Sequence, residues 1–308
     1  MITAEIQLYT PKLLSEALAL LAEHGDEAKI LGGGMSLVPT MTLGLARPEI
    51  LISLNHVAEL RNISEDPASL RIGGTARHAD VLASPLVARH APLLAEAARH
   101  IGDVQVRNRG TVGGSVAHAD PAADYLPALV ALGASIVARS VRGERVIPAR
   151  DFFIDVMATA LEPDELIAEI RVPRQAAGAT SAYRRLARVE GSFAIVNAAA
   201  VVNPAGSSVV AIGGVAATPT VVDVSAAVAA GLTDAALAQV DADVRAACAE
   251  PFEDLNGNAE YRREMAVVHA RRALLAAFDR AAEGRATAGR AAAGRAAEGQ
   301  AAARRLTR

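Results

Sequence analysis

The stretch TVGGSVAHADPAAD, residues 111–124, combines two adjacent glycines, two small hydroxyl residues and two aspartates within fourteen positions. Glycine weakens a strand interior and proline removes a hydrogen-bond donor from a sheet, so this stretch is not expected to be a core strand. Adjacent glycines suit a backbone that another group approaches closely. We therefore expect a glycine-rich binding loop over residues 101–124.

A second glycine run, GGGMS at residues 32–36, follows the short apolar stretch of residues 28–31, which is predicted to be a strand. Successive backbone N–H groups in such a loop can converge on an anion, and a diphosphate would fit there. A tight turn without a ligand is the alternative. The three glycines are contiguous and no Gly-Lys-Ser or Gly-Lys-Thr follows, so the spacing disfavours nicotinamide-dinucleotide and ATP sites.

The two glycine segments together predict a dinucleotide site, because two such loops can both present main-chain N–H groups to the phosphates. Thr111 and Ser115 flank the second glycine pair, and Asp124 is placed in sequence to accept hydrogen bonds from ribityl or ribose hydroxyls. A carboxylate at the start of the helix predicted for YLPALVAL is the alternative role of Asp124. His118 has no second histidine or cysteine at metal-ligand spacing, so neither a metal site nor a catalytic residue is predicted.

Composition narrows the class of protein. The chain of 308 residues is 52% hydrophobic and has a formal net charge of −3, which provides no basic field to attract nucleic acid or anionic lipid. Cys248 is its one cysteine, so these residues can neither form a disulfide framework nor supply four thiolates to an iron–sulfur cluster. No apolar run suits a membrane span and the amino terminus lacks signal-peptide features, so a cytoplasmic protein is predicted.

The first half of the chain alternates predicted helices and strands. Apolar periodicity predicts a helix from Thr10 and Pro11 to Gly25. Further helices are predicted at residues 78–82, 92–99 and 125–134, and strands at residues 28–31, 50–54, 69–74 and 165–173. Between them, SIVARS and ERVIPA predict a hairpin with Arg142 and Gly143 at its tip.

The second half has a different pattern. Residues 174–182 are small, polar and glycine-containing, which indicates a boundary. Consecutive antiparallel strands are predicted at residues 184–189, 193–202 and 207–215, followed by helices near 233–249 and 259–281. The last residues, 282–308, repeat alanine, arginine and glycine with no large apolar residue before Leu306, which predicts a disordered tail, with a basic arm for a partner as the alternative.

These motifs resemble a known family. GGGMS and TVGGS are similar to the AGGxS and T(I/V)GG(N/S) loops of the FAD-binding medium subunit of molybdenum hydroxylases, the group that includes carbon monoxide dehydrogenase and the flavin domain of xanthine dehydrogenase. The similarity continues through residues 105–124, 72–81, 211–222 and 260–274, and it covers everything but the tail.

The resemblance implies an α+β fold. A two-part FAD-binding domain of the vanillyl-alcohol oxidase type is expected over residues 1–174, with α/β subdomains of about 1–57 and 58–174. A smaller α+β domain with an antiparallel sheet, of the carbon monoxide dehydrogenase flavoprotein C-terminal type, is expected over 175–281, and the disordered tail over 282–308.

The resemblance also implies the residues that bind FAD. They are Leu31, Gly32, Gly33, Gly34, Met35, Ser36, Leu37, Ile101, Thr111, Val112, Gly113, Gly114, Ser115, Asp124, Ile167 and Arg184. Arg184 is assigned to the position of a family lysine beside the flavin. A length difference in the alignment makes Arg185 or Arg188 an equally good assignment. Met35 stands where the family has glutamine, histidine or threonine, and Ser192 where it often has aspartate.

The implied function is electron transfer. FAD is expected on this chain, and 2Fe-2S clusters and the molybdenum cofactor on a small and a large partner subunit, in a dimer of heterotrimers that inserts in no membrane and binds no nucleic acid. The alternatives are a self-contained FAD-dependent oxidoreductase and a flavin-free binding protein of the same fold.

Overall fold

The structure is a computed structural model that describes residues 5–306, with the side chains described as far as residue 284. Its helices are α1 Leu14–His24, α2 Leu37–Thr42, α3 His78–Ala83, α4 Pro85–His90, α5 Pro92–Arg99, α6 Val104–Arg109, α7 Val112–His118, α8 Tyr125–Ala131, α9 Ala149–Phe152, α10 Ser225–Ala229, α11 Asp234–Ala247 and α12 Ala259–Leu306.

The strands form three main sheets and one short hairpin. They are β1 Gln7–Tyr9, β2 Ala28–Leu31, β3 Ile50–Ser53, β4 Ile63–Glu65, β5 Ser69–Gly73, β6 Ser135–Ser140, β7 Gly143–Pro148, β8 Phe153–Asp155, β9 Ala158–Thr159, β10 Leu166–Pro173, β11 Thr180–Leu186, β12 Val196–Val202, β13 Val209–Gly213 and β14 Thr220–Asp223.

The first sheet is parallel, in the order β1-β3-β2. Helix α1 covers it with a buried apolar stripe that recurs every three to four residues. The helix ends at Gly25, whose φ of 50° suits glycine. The predicted helix is confirmed, but it begins at Leu14 and not at Pro11, and Glu16 accepts hydrogen bonds from the backbone N–H groups of Lys12 and Leu13 just before it.

The second sheet is antiparallel, in the order β4-β5-β10-β6-β7. The predicted hairpin is confirmed, with β6 and β7 paired from Ser135 opposite Pro148 to Ser140 opposite Gly143. Helices α5 and α8 pack in the same core, in which Tyr125 and Phe152 are fully buried. This core supports the segment that follows α6.

Residues 101–124 are largely helical, so the expectation of a loop there is wrong. Helix α6 ends at Gly110, and α7 begins directly after Thr111, whose side chain accepts a hydrogen bond from Gly114 N–H. Val112 and Val116, four positions apart, are both buried. Capping and one apolar face outweigh the low helix propensity of the glycine pair.

The third sheet is antiparallel, in the order β11-β12-β13-β14, and α12 packs across β11 and β12. Strand β11 begins at Thr180, inside the segment predicted as a boundary, and β14 was not predicted. The expected boundaries near 57 and 174 lie between sheets, whereas the one near 281 lies within α12. Disorder of the tail stays a prediction, because the side chains after residue 284 lie outside the described residues.

None of the helices within residues 5–306 combines the length and the apolar character needed to cross a bilayer.

Candidate functional site

A cavity of about 780 Å³ is lined by residues from all three sheet-containing regions. Its walls come from the first glycine run, the turn after β5, helix α7, the segment before β10 and the loop between β11 and β12. The cavity therefore depends on segments that are far apart in the sequence.

The first glycine run offers free backbone donors to this cavity. Residues 32–37 connect β2 to α2, and none of their backbone N–H groups donates a hydrogen bond to a described residue. The turn is held by Val38 N–H, which donates to Gly34 O at 3.1 Å, and Gly34 has a φ of 74° that favours glycine. Six consecutive N–H groups without internal partners are suited to an anion.

The two glycine segments are in direct contact with each other. A Cβ atom on Gly33 would lie 2.1 Å from Arg109 O, and one on Gly32 would lie 2.7 Å from Thr111 Oγ1. Both glycines are therefore required by packing of protein against protein at the floor of the cavity.

The second glycine segment differs from the first, because its N–H groups are already satisfied. Val112 N–H donates to Ala76 O at 3.0 Å and Gly113 N–H to Gly74 O at 2.9 Å, while Gly114 N–H bonds to Thr111 Oγ1 at 3.1 Å. Ser115 N–H donates to Thr111 O at 3.0 Å. The expectation that both segments present main-chain donors is thus corrected: residues 113–115 line the cavity with N–H groups that are already paired, and the free N–H groups are those of the first run.

Asp124 sits at the wall of the cavity in a buried ion pair. Tyr183 donates its hydroxyl hydrogen to Asp124 Oδ1 at 2.6 Å, and Arg185 Nη1 lies 3.2 and 3.3 Å from the two carboxylate oxygens. Burial raises the pKa of Asp124 from 3.8 to about 6, although the charge of Arg185 and the Tyr183 hydrogen bond oppose it. A carboxylate has about four acceptor positions, so these contacts leave room for one ligand hydroxyl.

Of the arginines proposed beside the flavin, Arg185 is the one that contacts the cavity wall, through Asp124, although its own side chain does not line the cavity. Its guanidinium also donates to His100 O at 2.8 Å and to Ser192 O. Arg184 does not line the cavity; its Nη1 donates to Tyr183 O at 2.8 Å, and its charge acts on His269. Alternate residues of a strand point to opposite faces, which separates the two neighbours.

Comparison with known proteins identifies the family. Residues 4–175 match the family described as the FAD binding domain in molybdopterin dehydrogenase, and residues 173–277 match the CO dehydrogenase flavoprotein C-terminal domain. The chain belongs to this FAD-binding family.

Individual relatives agree over nearly the full length. The chain is 41% identical to the carbon monoxide dehydrogenase medium chain of Hydrogenophaga pseudoflava, over 92% of this chain and 100% of the relative. It is 34% identical to the nicotine 6-hydroxylase medium subunit of Paenarthrobacter nicotinovorans, over 88% and 97%.

Solved structures show the same fold. The carbon monoxide dehydrogenase from Hydrogenophaga pseudoflava which lacks the Mo-pyranopterin moiety of the molybdenum cofactor superposes with a TM-score of 0.85 at 41% identity, covering 91% of this chain and 99% of that one. Quinoline 2-oxidoreductase from Pseudomonas putida 86 gives a TM-score of 0.84 at 29% identity, covering 91% and 99%.

The residues present in this FAD-binding chain fit the cofactor. The free N–H groups of residues 32–37 can receive a diphosphate, and the cavity volume is in the range of cofactor sites, roughly 300–1,000 Å³. Most of the predicted contacts line the cavity, namely Leu31, Gly32, Gly33, Gly34, Met35, Ser36, Leu37, Ile101, Thr111, Gly113, Gly114, Ser115, Asp124 and Ile167. Val112 does not, because it lies on the face of α7 that is buried in the core.

Several lining residues were missed from the sequence. Gly191, Ser192 and Phe193 reach the cavity from the loop between β11 and β12, and Gly191, with a φ of 80°, packs against Gly102. The only signal for this loop was the substitution at Ser192, whose hydroxyl donates to Val189 O at 2.8 Å. His78 was also missed, although it lies in one of the family-like segments.

The buried carboxyl predicts a pH effect on stability. Because the pKa of Asp124 is higher in the folded protein than its usual 3.8, its contribution is complete below that value and is lost as the pH rises through about 6. Lowering the pH from about 7.5 to about 5 should therefore stabilise the wild type against Asp124→Asn, which does not titrate, by about 1–2 kcal/mol. Urea unfolding of both proteins at the two pH values measures this difference, and a constant difference would contradict the burial argument.

Proposed function

We propose that this chain is the FAD-binding electron-transfer subunit of a molybdenum-containing hydroxylase or dehydrogenase, carrying electrons from a 2Fe-2S subunit to an external acceptor. The observation that carries the proposal is the unpaired run of N–H groups at residues 32–37, which faces a cavity of about 780 Å³ in a chain of this family. Bound FAD supplies the redox chemistry, and the protein supplies position and electrostatics.

Each wall of the cavity has a separate task. Backbone donors of residues 32–37 hold the diphosphate, and the packed glycines hold those donors in place. Ile101 and Ile167 provide apolar surface, while Asp124 accepts a hydroxyl and keeps Arg185 oriented. The loop with Phe193 closes the side formed by the C-terminal region.

Partner subunits are part of the same proposal. Relatives are named as a medium chain or a medium subunit, which supports an assembly with a small and a large chain. The single cysteine of these 308 residues, Cys248, is buried and cannot ligate a 2Fe-2S cluster, so the clusters belong to a partner. A dimer of heterotrimers, and its location in the cytoplasm, remain predictions.

The test begins with the isolated protein. We expect it to purify yellow with one FAD per chain, because the donors and the cavity are intrinsic to it. Without partners it should show no turnover of a reduced organic substrate, and co-expression with a small cysteine-rich chain and a large chain should confer turnover. A colourless protein that FAD does not reconstitute would refute the proposal.

The alternative of a self-contained oxidoreductase predicts a different result. In that case the isolated chain would oxidise a small substrate at steady state, with FAD reduced and reoxidised in each cycle. This result would support the self-contained oxidoreductase and contradict the electron-transfer role. The proposal expects reduction of the flavin in the isolated chain only by artificial donors.

A further inference from the structure

His78 is a cavity residue with no assigned role. It is the first residue of α3, directly after the glycine turn that ends β5, and its side chain lines the cavity while the residue is only 3% exposed. Its backbone N–H donates to Gly110 O at 3.2 Å. The imidazole is thus anchored at the base of the second glycine segment.

The two ring nitrogens have different environments. Nδ1 is sealed from solvent and has no hydrogen-bond partner among the described residues. Nε2 also bonds to no described residue, yet it is not sealed, and it lies so close to Gly110 that a Cβ there would be 2.5 Å away. The accessible nitrogen therefore belongs to the ring edge that reaches the cavity.

The ring is neutral under ordinary conditions. Burial, together with the charges of Arg77 and Arg107, lowers the pKa of His78 to about 4. The ring of Tyr125 packs against it, with ring centroids 5.5 Å apart, and the Tyr125 hydroxyl is buried without a partner in the described chain. Asp124 lies next to Tyr125 in the chain.

A neutral imidazole carries one N–H, and its position follows from the environment. A buried N–H without an acceptor is rarer in proteins than an acceptor without a donor. The proton is therefore expected on Nε2, with the bare lone pair of Nδ1 in the sealed interior. Such a tautomer directs a hydrogen-bond donor into the cavity.

We propose that His78 is an FAD-binding residue whose neutral imidazole donates a hydrogen bond from Nε2 to an oxygen of the ribityl–diphosphate part of the cofactor. This part is indicated because Gly110 and the contacting residues Gly33 and Thr111 lie at the same floor of the cavity. The inference rests on FAD occupying this cavity. It adds a side-chain donor to a site in which the first glycine run supplies main-chain donors.

Substitutions at His78 test the donor. His78→Gln places an amide N–H near the position of Nε2, whereas His78→Leu removes the donor at similar volume. Tyr125→Phe is the matched control, because it removes a neighbouring buried hydroxyl that has no hydrogen-bond partner in the described chain. We expect His78→Leu to raise the FAD dissociation constant about tenfold to hundredfold, since the lost acceptor contact is to a polar or charged oxygen. His78→Gln should remain within about threefold of the wild type, and Tyr125→Phe should not differ from it.

Two further readouts separate a cofactor contact from a packing role. The ³¹P resonances of bound FAD should shift in His78→Leu and be unchanged in Tyr125→Phe. The ratio of wild-type to His78→Leu affinity should be constant from about pH 5.5 to 8, because the imidazole stays neutral there. Thermal unfolding of each variant without FAD reports any loss of packing.

These measurements distinguish three outcomes for the role of His78. Equal FAD affinity in wild type and His78→Leu would overturn the role of His78 while leaving FAD binding intact. Equal losses in the leucine and glutamine variants, paralleled by lower melting temperatures, would make His78 a packing residue and also overturn it. A wild-type protein that binds no FAD would refute the proposed function together with this inference.

Discussion

Replacing Gly33 by alanine is expected to abolish FAD binding without unfolding the protein. The new Cβ would lie 2.1 Å from Arg109 O and 2.6 Å from Gly110 Cα, both backbone atoms that have no side-chain freedom to move away. The first glycine run would be pushed away from the second segment, and its N–H groups would no longer converge. Titration of the apo-protein with FAD should show at least about a hundredfold loss of affinity.

The control for this variant is Gly284→Ala. Gly284 lies in α12, and a Cβ there meets nothing within 4 Å, so alanine should leave FAD affinity unchanged and raise helix stability by up to about 1 kcal/mol. Wild-type affinity in Gly33→Ala would mean that residues 32–37 do not hold the diphosphate.

Gly113→Val tests the second segment in the same way, but for a different reason from the one that the glycine pair suggests. Adjacent glycines indicate a backbone that another group approaches closely, so a side chain here would be expected to block the cofactor. In the structure its Cβ would lie 2.5 Å from Gly74 O, so valine would first displace α7 from the end of β5. FAD affinity and stability should therefore fall together in this variant.

Arg185→Met is expected to destabilise the protein by about 3–5 kcal/mol, since it leaves the buried carboxylate of Asp124 without its cation. The substitution also removes the bonds to His100 O and Ser192 O that hold the loop between β11 and β12 against the cavity. FAD affinity should fall by more than about tenfold, because that loop would have to be ordered on binding. Urea unfolding and FAD titration measure the two effects.

The matched control is the neighbouring residue. Arg184→Met removes an equal charge from the same strand but only one bond, to Tyr183 O, and should cost about 1 kcal/mol or less with no change in FAD affinity. If Arg184→Met has the larger effect on FAD, Arg184 is the flavin-side cation after all. Asp124→Asn combined with Arg185→Met should restore part of the lost stability, because no unpaired carboxylate remains buried.

The loss in Arg185→Met should also depend on pH. Without the arginine, the effect of burial on Asp124 loses its largest opposing interaction, so the pKa of the carboxyl rises further and the group becomes protonated closer to neutral pH. The destabilisation should therefore be smaller near pH 5 than near pH 8. A pH-independent loss would indicate that the hydrogen bonds of Arg185 matter more than its charge.

Elements with a strong local pattern were predicted well. Strand β2 was expected at its observed bounds, and the β6–β7 hairpin within one residue of its observed tip, because apolar runs are bounded there by glycine or a charged turn. Helix α7 was missed, since its glycine pair suggested a loop. Its stability comes from the cap by Thr111 and from the buried Val112 and Val116, which depend on tertiary contacts.

Parts of the candidate site could likewise be predicted from the sequence, and other parts required the tertiary structure. Glycine spacing and the absence of a nucleotide-hydrolase lysine indicated a dinucleotide site at residues 32–36 and 111–115. The choice between Arg184 and Arg185 depends on which face of β11 meets Asp124, and that requires the sheet register. His78 gave no signal, because only burial and an unpartnered nitrogen distinguish it.

The sequence by itself determined the glycine runs, the alternation of helices and strands and the family, because these depend on local patterns along the chain. The tertiary structure decided which segment keeps its N–H groups free, which arginine pairs with Asp124 and how three distant regions enclose one cavity. The reason is that hydrogen-bond partners and buried charges are set by contacts between residues far apart in sequence, and such contacts leave no local pattern.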